Sequence, residues 1–250
     1  MRLGYFLTFG VLAAAFGSCH GQSETPPDSV RAAPFVRAAY RPALLALAVR
    51  RQQLAARYQA APTAAGQAAC LAQARGLLLG ALDSTVFPAW AGTPWAFYGQ
   101  SWEPRQGQIA CGYFVTTALH DAGLRLARTR LAQQTSETII KNLTDEAHIR
   151  RYRNTRQAVF VDAVQALGPG LYVVGLDFHV AFLRVRPDGA VRMVHATYLA
   201  PGTVVDEAAA TAAALASKYR VVGRISADDG LLRQWLLGQP LPVRGAAPAE

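Results

Sequence analysis

Three residues, Gly168-Pro169-Gly170, divide this chain by kind of periodicity and constrain its fold more than any other feature. Before them, apolar side chains recur at helical spacing over roughly 35–60, 66–82 and 111–122. Pro62 and Gly66 separate the first two runs, and Gly123 closes the third. After them come short apolar, partly β-branched runs at 171–176, 178–185, 191–198 and 219–226, then a helical stretch at 228–237. Helices first and strands later predict an α+β fold built on an antiparallel sheet.

At 250 residues, 52% apolar and 16% charged, the chain has material for one sizeable core plus appendages. Its net charge of +9 favours anionic surroundings such as cell-wall polymers or lipid head groups. The Lys and Arg residues are scattered and no nucleic-acid motif accompanies them, so no nucleic-acid partner is expected. No metal and no cofactor is expected either. Arg2, the apolar run 5–16 and the small pair Gly17-Ser18 make residues 1–18 a targeting segment, too short to span a bilayer comfortably. It resembles a bacterial lipoprotein signal, which implies that Cys19 is lipidated; Phe16, at the usual Leu position, departs from that pattern. The expected location is the cell envelope, lipid-anchored on the periplasmic or outer-surface side, or secreted if Cys19 stays free. The polar, Pro-containing stretch 19–34 suits a tether.

With Cys19 set aside, two of the three cysteines remain, Cys70 and Cys111. They could form a disulfide in an oxidising compartment. Cys70, in an Ala-rich helical stretch, is otherwise expected to pack as a small hydrophobe. Cys111 lies in Ile109-Ala110-Cys111-Gly112-Tyr113-Phe114-Val115, where a Gly- and Trp-rich loop enters a helix. Unpaired N–H groups and the positive end of the helix dipole stabilise a thiolate in a first turn, which makes the sulfur a usable nucleophile. Its alternative is a buried core thiol. His120, far along that helix, and His148, among Arg150, Arg151 and Arg153 in the polar surface segment 133–155, are expected to be solvated.

Pro187-Asp188-Gly189 is a strong turn signal between two strands. A type I turn with Gly189 left-handed pairs Arg186 with Ala190 and sets Ala181 opposite His195. His179 shares a face with Ala181, so His195 then lies diagonally across from His179, within hydrogen-bonding reach. A four-residue loop would turn His195 to the other face.

These pieces together resemble the NlpC-type cell-wall peptidases, papain-like cysteine hydrolases of bacteria. Over roughly 78–226, Gly92-Thr93-Pro94-Trp95, Gly99 and Cys111 to Val115 stand in the family's order, followed by Gly170-Leu171-Tyr172, His179-Val180-Ala181 and His195-Ala196-Thr197. The resemblance implies a papain-like fold with the nucleophile Cys111 on a central helix packed on the sheet. It makes His179 the base and His195 its orienter; Asp177, two residues from His179 and on the same face of a regular strand, is a second candidate for that last role by its position alone. It also implies a hydrolase that cuts an amide bond, with peptidoglycan or another peptide as substrate and partner.

The family's Asp and Ser flanking the cysteine are Ala110 and Gly112 here, its Tyr is Trp95, and Tyr113 replaces a glycine. Trp95, Tyr98, Gly112 and Tyr113 are therefore the expected substrate-side residues, Gly112 leaving room beside the sulfur. The altered flanks leave open two alternatives: a catalytically inactive lipoprotein that binds wall peptides or a protein partner, and a thiol acyltransferase. The expected divisions are a helical extension 35–77, a catalytic domain 78–237 and a disordered tail 238–250.

Overall fold

Helix α1 (Arg37–Ala60) begins the main run of residues, 37–243, that the computed structural model describes along with Met1. Tyr40, Leu47, Leu54 and Tyr58 recur on one side of α1 and are buried there. Thr63 caps α2 (Ala64–Ala81) by accepting a hydrogen bond from the Gly66 N–H at 3.1 Å. The chain continues through a π-helical turn, Leu82–Val86, into the short α3 (Phe87–Trp90). A long connection then leads to α4 (Cys111–Asp121), which ends before Gly123 at φ +95°.

The next elements are short: β1 (Arg125–Leu126), α5 (Arg128–Ala132), α6 (Ser136–Leu143), the strand β2 (Ile149–Arg153) and α7 (Gln157–Ala166). Strands dominate from Gly170 onward: β3 (Gly170–Leu176), β4 (Val180–Val185), β5 (Val191–Ala196), β6 (Val204–Ala208) and β7 (Tyr219–Gly223). Helix α8 (Asp229–Leu236) and β8 (Pro240–Leu241) follow. The result is a mixed α+β architecture around a six-stranded antiparallel sheet of order β2-β7-β3-β4-β5-β6.

Strand alternation gives the sheet two apolar faces. Val173, Val180, Phe182, Val194 and Ala196 belong to the larger core, with Phe114, Val115 and Ala118 of α4. The Phe114 and Phe182 rings meet edge to face at 5.9 Å. Tyr172, Val174, Ala181, Leu183 and Met193 join Phe160 and Val164 of α7 in a second cluster. The β4–β5 hairpin has the register that its turn predicts: Arg186 N–H donates to the Ala190 carbonyl at 2.9 Å, Gly189 has φ +87°, and Phe182 pairs with Val194.

Several expectations need correction. The division at 77/78 falls inside α2, and the helical extension packs on the rest of the fold: Leu47, Leu54, Leu71 and Leu78 share one core cluster with Phe114, Phe182 and Trp235. Part of the expected surface segment 133–155 is the edge strand β2, antiparallel to β7, whose arginines take the solvent side. The tail expected from 238 is structured through β8, which pairs in parallel with β1. Cys70 and Cys111 are both free thiols, so no disulfide joins them.

The targeting segment 1–18, the lipidation site Cys19, the tether 19–34 and the tail beyond 243 lie outside the described residues, apart from Met1. Among the described residues no helix is long and apolar enough to cross a membrane.

Candidate active site

Cys111 is the first residue of α4, entered from an extended Ala110 (φ −81°, ψ 160°) that supplies no side-chain cap. The first-turn N–H groups therefore stay available, and those of Val180, Gly112 and Cys111 itself point at the sulfur. Burial pushes the thiol pKa up, and these three donors offset only part of that rise. The resting group is a thiol that a base must deprotonate. It lines a cavity of about 280 Å³ together with Gln134, Ser136, Phe178 and His179.

His179 follows the two-residue turn Asp177-Phe178 between β3 and β4, closed by a 2.8 Å hydrogen bond from the Leu176 N–H to the His179 carbonyl. Its ring is packed between His195, at 5.0 Å, and Tyr198, at 5.8 Å between ring centres. Burial, and then the neighbouring His195, lower its pKa from 6.5 to about 3, so the imidazole is neutral. Its Nε2 lies 2.8 Å from His195 Nδ1. Its Nδ1 is buried with no hydrogen-bond partner, so no hydrogen bond joins the thiol to this ring.

His195 is fully buried on β5, and both of its nitrogens are engaged: Nε2 lies 2.8 Å from Oε1 of Glu207 on β6. Glu207 is the polar residue that sequence reasoning missed. Met193 pairs with Glu207 and His195 with Val205, so Glu207 is diagonal to His195, as His195 is to His179. The signal was an acid in a strand next to the histidine strand, but 204–208 had not been assigned as a strand.

Asp177 does not orient His179. Its carboxylate accepts from the Ser217 hydroxyl at 2.8 Å and from the backbone N–H groups of Lys218 and Tyr219, which hold its pKa below the usual carboxylate range. Gly112 lines the cavity beside Cys111, and no larger residue could stand in its place. A methyl there would sit 2.3 Å from the Ala132 carbonyl oxygen, because the end of α5 closes on the first turn of α4. Tyr113 is buried and does not line the cavity; its hydroxyl accepts from Gln133 at 3.2 Å and its ring lies under the Arg128 guanidinium at 4.9 Å.

Trp95 is brought to the site. It packs on Tyr198 at 6.1 Å, and Tyr198 in turn packs on His179, so Trp95 reaches the site through Tyr198 and does not itself line the Cys111 cavity. Tyr98 is exposed, meets Phe97 edge to face at 4.9 Å, and lines a depression formed by its own loop. That loop is tied to the site because the Ala110 N–H donates to the Gly99 carbonyl at 2.9 Å. It is further held by buried Arg128, which donates to the carbonyls of Gln100 and Ser101. On the far side of His179 a second hollow of about 540 Å³ is lined by Phe178, Tyr198, Ala214, Ala216 and Lys218.

Among the described residues no group of three or more His, Cys, Asp or Glu is arranged to hold a metal ion. The cluster instead combines a sulfur amid amide donors, a neutral imidazole with one free nitrogen, and a buried polar chain behind it. That set is suited to proton transfer and acyl chemistry. No family model, curated protein or solved structure matches the chain.

Proposed function

We propose that this chain is a cysteine hydrolase of papain-like, NlpC type that cleaves an amide bond, with peptidoglycan peptides as its substrate. The observation that carries this reading is the partly exposed Cys111 at a helix start, sharing one cavity with a neutral histidine whose Nδ1 is buried and unpartnered. A central helix packed on an antiparallel sheet that carries both histidines supports the papain-like assignment. Residues 1–19 support export and a lipid anchor at Cys19 in the cell envelope.

In this mechanism the Cys111 thiol gives its proton to His179 Nδ1 as the sulfur attacks the scissile carbonyl. The free N–H groups at the start of α4 receive the negative charge on the carbonyl oxygen. Collapse of the tetrahedral intermediate breaks the C–N bond, and the leaving amine takes the proton from His179. Water, deprotonated by the same nitrogen, then attacks the thioester and releases the acid, returning the proton to sulfur. The thiol–imidazole hydrogen bond is made in the complex with substrate, as catalytic hydrogen bonds often are.

A second reading, a non-catalytic scaffold that binds wall peptides, is favoured by the missing thiol–imidazole bond and the raised thiol pKa. Incubating wild type and Cys111→Ala with purified peptidoglycan decides between the two by mass spectrometry of the released fragments. New amine and carboxyl ends released by wild type alone are expected. Identical fragment patterns would sink the hydrolase and favour the scaffold.

A further inference from the structure

We propose that Glu207 is a positioning residue that acts through His195 to hold His179 with its proton on Nε2, leaving Nδ1 bare to accept one. The proposal rests on the hydrolase reading for its use, but its physical content stands on three atoms in sequence. Glu207 Oε1 lies 2.8 Å from His195 Nε2, and His195 Nδ1 lies 2.8 Å from His179 Nε2.

The proton positions follow from donor counting. A carboxylate only accepts, so His195 must carry its proton on Nε2. A neutral imidazole has one N–H, so Nδ1 of His195 is then an acceptor, and the 2.8 Å contact requires His179 to donate from Nε2. Neutral His179 is left with a lone pair on Nδ1, the buried atom that has no partner. The opposite assignment places a proton on that Nδ1 with no acceptor, and leaving a buried donor unsatisfied is costly. The two rings are dry, at 4% and 0% exposure, whereas the Glu207 side chain is 36% exposed. The charge that sets the direction therefore stays in contact with water, and its orienting effect reaches the base through two desolvated hydrogen bonds.

The polarity also serves the reaction. When His179 takes the thiol proton it becomes an imidazolium whose Nε2–H already points at an acceptor, and His195, itself held by Glu207, stabilises that charge with every proton of the chain left in place and no reorganisation of the rings. His195 alone, as a neutral ring free to carry its proton on either nitrogen, would hold His179 in either direction.

Histidine nitrogen spectra of the full chain, with long-range proton–nitrogen correlations, test this directly. In wild type both His179 and His195 should show a protonated, pyrrole-like Nε2 and a bare, pyridine-like Nδ1. Glu207→Ala should replace the single form of His195 by a mixture and slow alkylation of Cys111 by iodoacetamide about tenfold, a part of the roughly hundred- to ten-thousand-fold that a general base supplies. Glu207→Gln, which keeps an acceptor of the same shape, should retain the tautomers and recover part of the rate. If the alanine variant fails to fold, the wild-type and Gln spectra still decide.

A pyrrole-like Nδ1 on His179 in wild type, or unchanged tautomers in a folded Glu207→Ala protein, overturns the proposal. The stated tautomers in a protein whose peptidoglycan fragments do not depend on Cys111 would support the positioning role while removing the hydrolase.

Discussion

His179 is an imidazole kept neutral by its surroundings, and that state has a thermodynamic signature. Its pKa falls from 6.5 to about 3 through burial and the adjacent His195. Between those two values the unfolded chain binds a proton that the folded chain refuses, so folding stability declines as pH falls from 6.5 toward 3. The slope for one proton is at most about 1.4 kcal/mol per pH unit. Glu137 also titrates differently on folding: burial opposes the shift, but hydrogen bonds from Tyr219, Arg151 and Lys141 outweigh it and hold the carboxyl at about 2. Its window lies below its ordinary 4.5, so urea titrations at pH 5 and 6.5 separate the two residues. His179→Gln should show a shallower loss of stability across that interval than wild type; equal losses would contradict a buried neutral imidazole.

At the scale of elements, the site depends on strand register more than on any single contact. The turn at Pro187-Asp188-Gly189 sets which face His195 takes, and a glycine inserted after Asp188 should shift β5 by one position against β4. The expected outcome is unchanged β-content by circular dichroism with loss of the His179–His195 coupling in nitrogen spectra. Retention of that coupling would mean that a bulge absorbs the insertion.

This hairpin was legible in the sequence because a tight turn fixes pairing on its own, and so were the helix start at Cys111 and the facing histidines. The neighbouring strand was not: 197–203 carries the turn pair Pro201-Gly202 but is too long a connection to fix a register, so neither β6 nor the alignment of Glu207 with His195 followed from residue spacing. Strand β2 was hidden for another reason. Ile149-Arg150-Arg151-Tyr152-Arg153 is an edge strand with one fully buried side chain, and its charges looked like surface. Residue spacing also does not show that Gly112, which lines the Cys111 cavity, is required there because the backbone at the end of α5 closes on it.

For the whole molecule, the helices before residue 78 are part of the larger of the two cores, the one that the sheet shares with α4. Arg75 fastens α2 to the C-terminal region by donating to the Ser226 carbonyl and to Asp229, and Arg51 of α1 donates to the Trp235 carbonyl at 3.0 Å. Chemical denaturation should therefore give coincident transitions by tryptophan fluorescence and far-ultraviolet dichroism. A fragment of residues 78–243 should lack cooperative unfolding, since it exposes Leu78, Leu82 and Trp90, all 3% exposed or less in the intact fold. A fragment with a sharp transition of its own would show that residues 37–77 are dispensable to the core.

The placement of His179, Glu207 and His195 on or beside three adjacent strands has one more consequence. Their alignment is held by main-chain pairing, whereas Trp95, Phe97, Tyr98, Phe178 and Tyr198 stand on connecting segments. Loops accept exchange far more readily than paired strands do. Segments 96–108 and 197–203 can thus be rewritten while the paired strands keep the two histidines and Glu207 in line, so that the walls of the cleft and the alignment behind it are separately heritable.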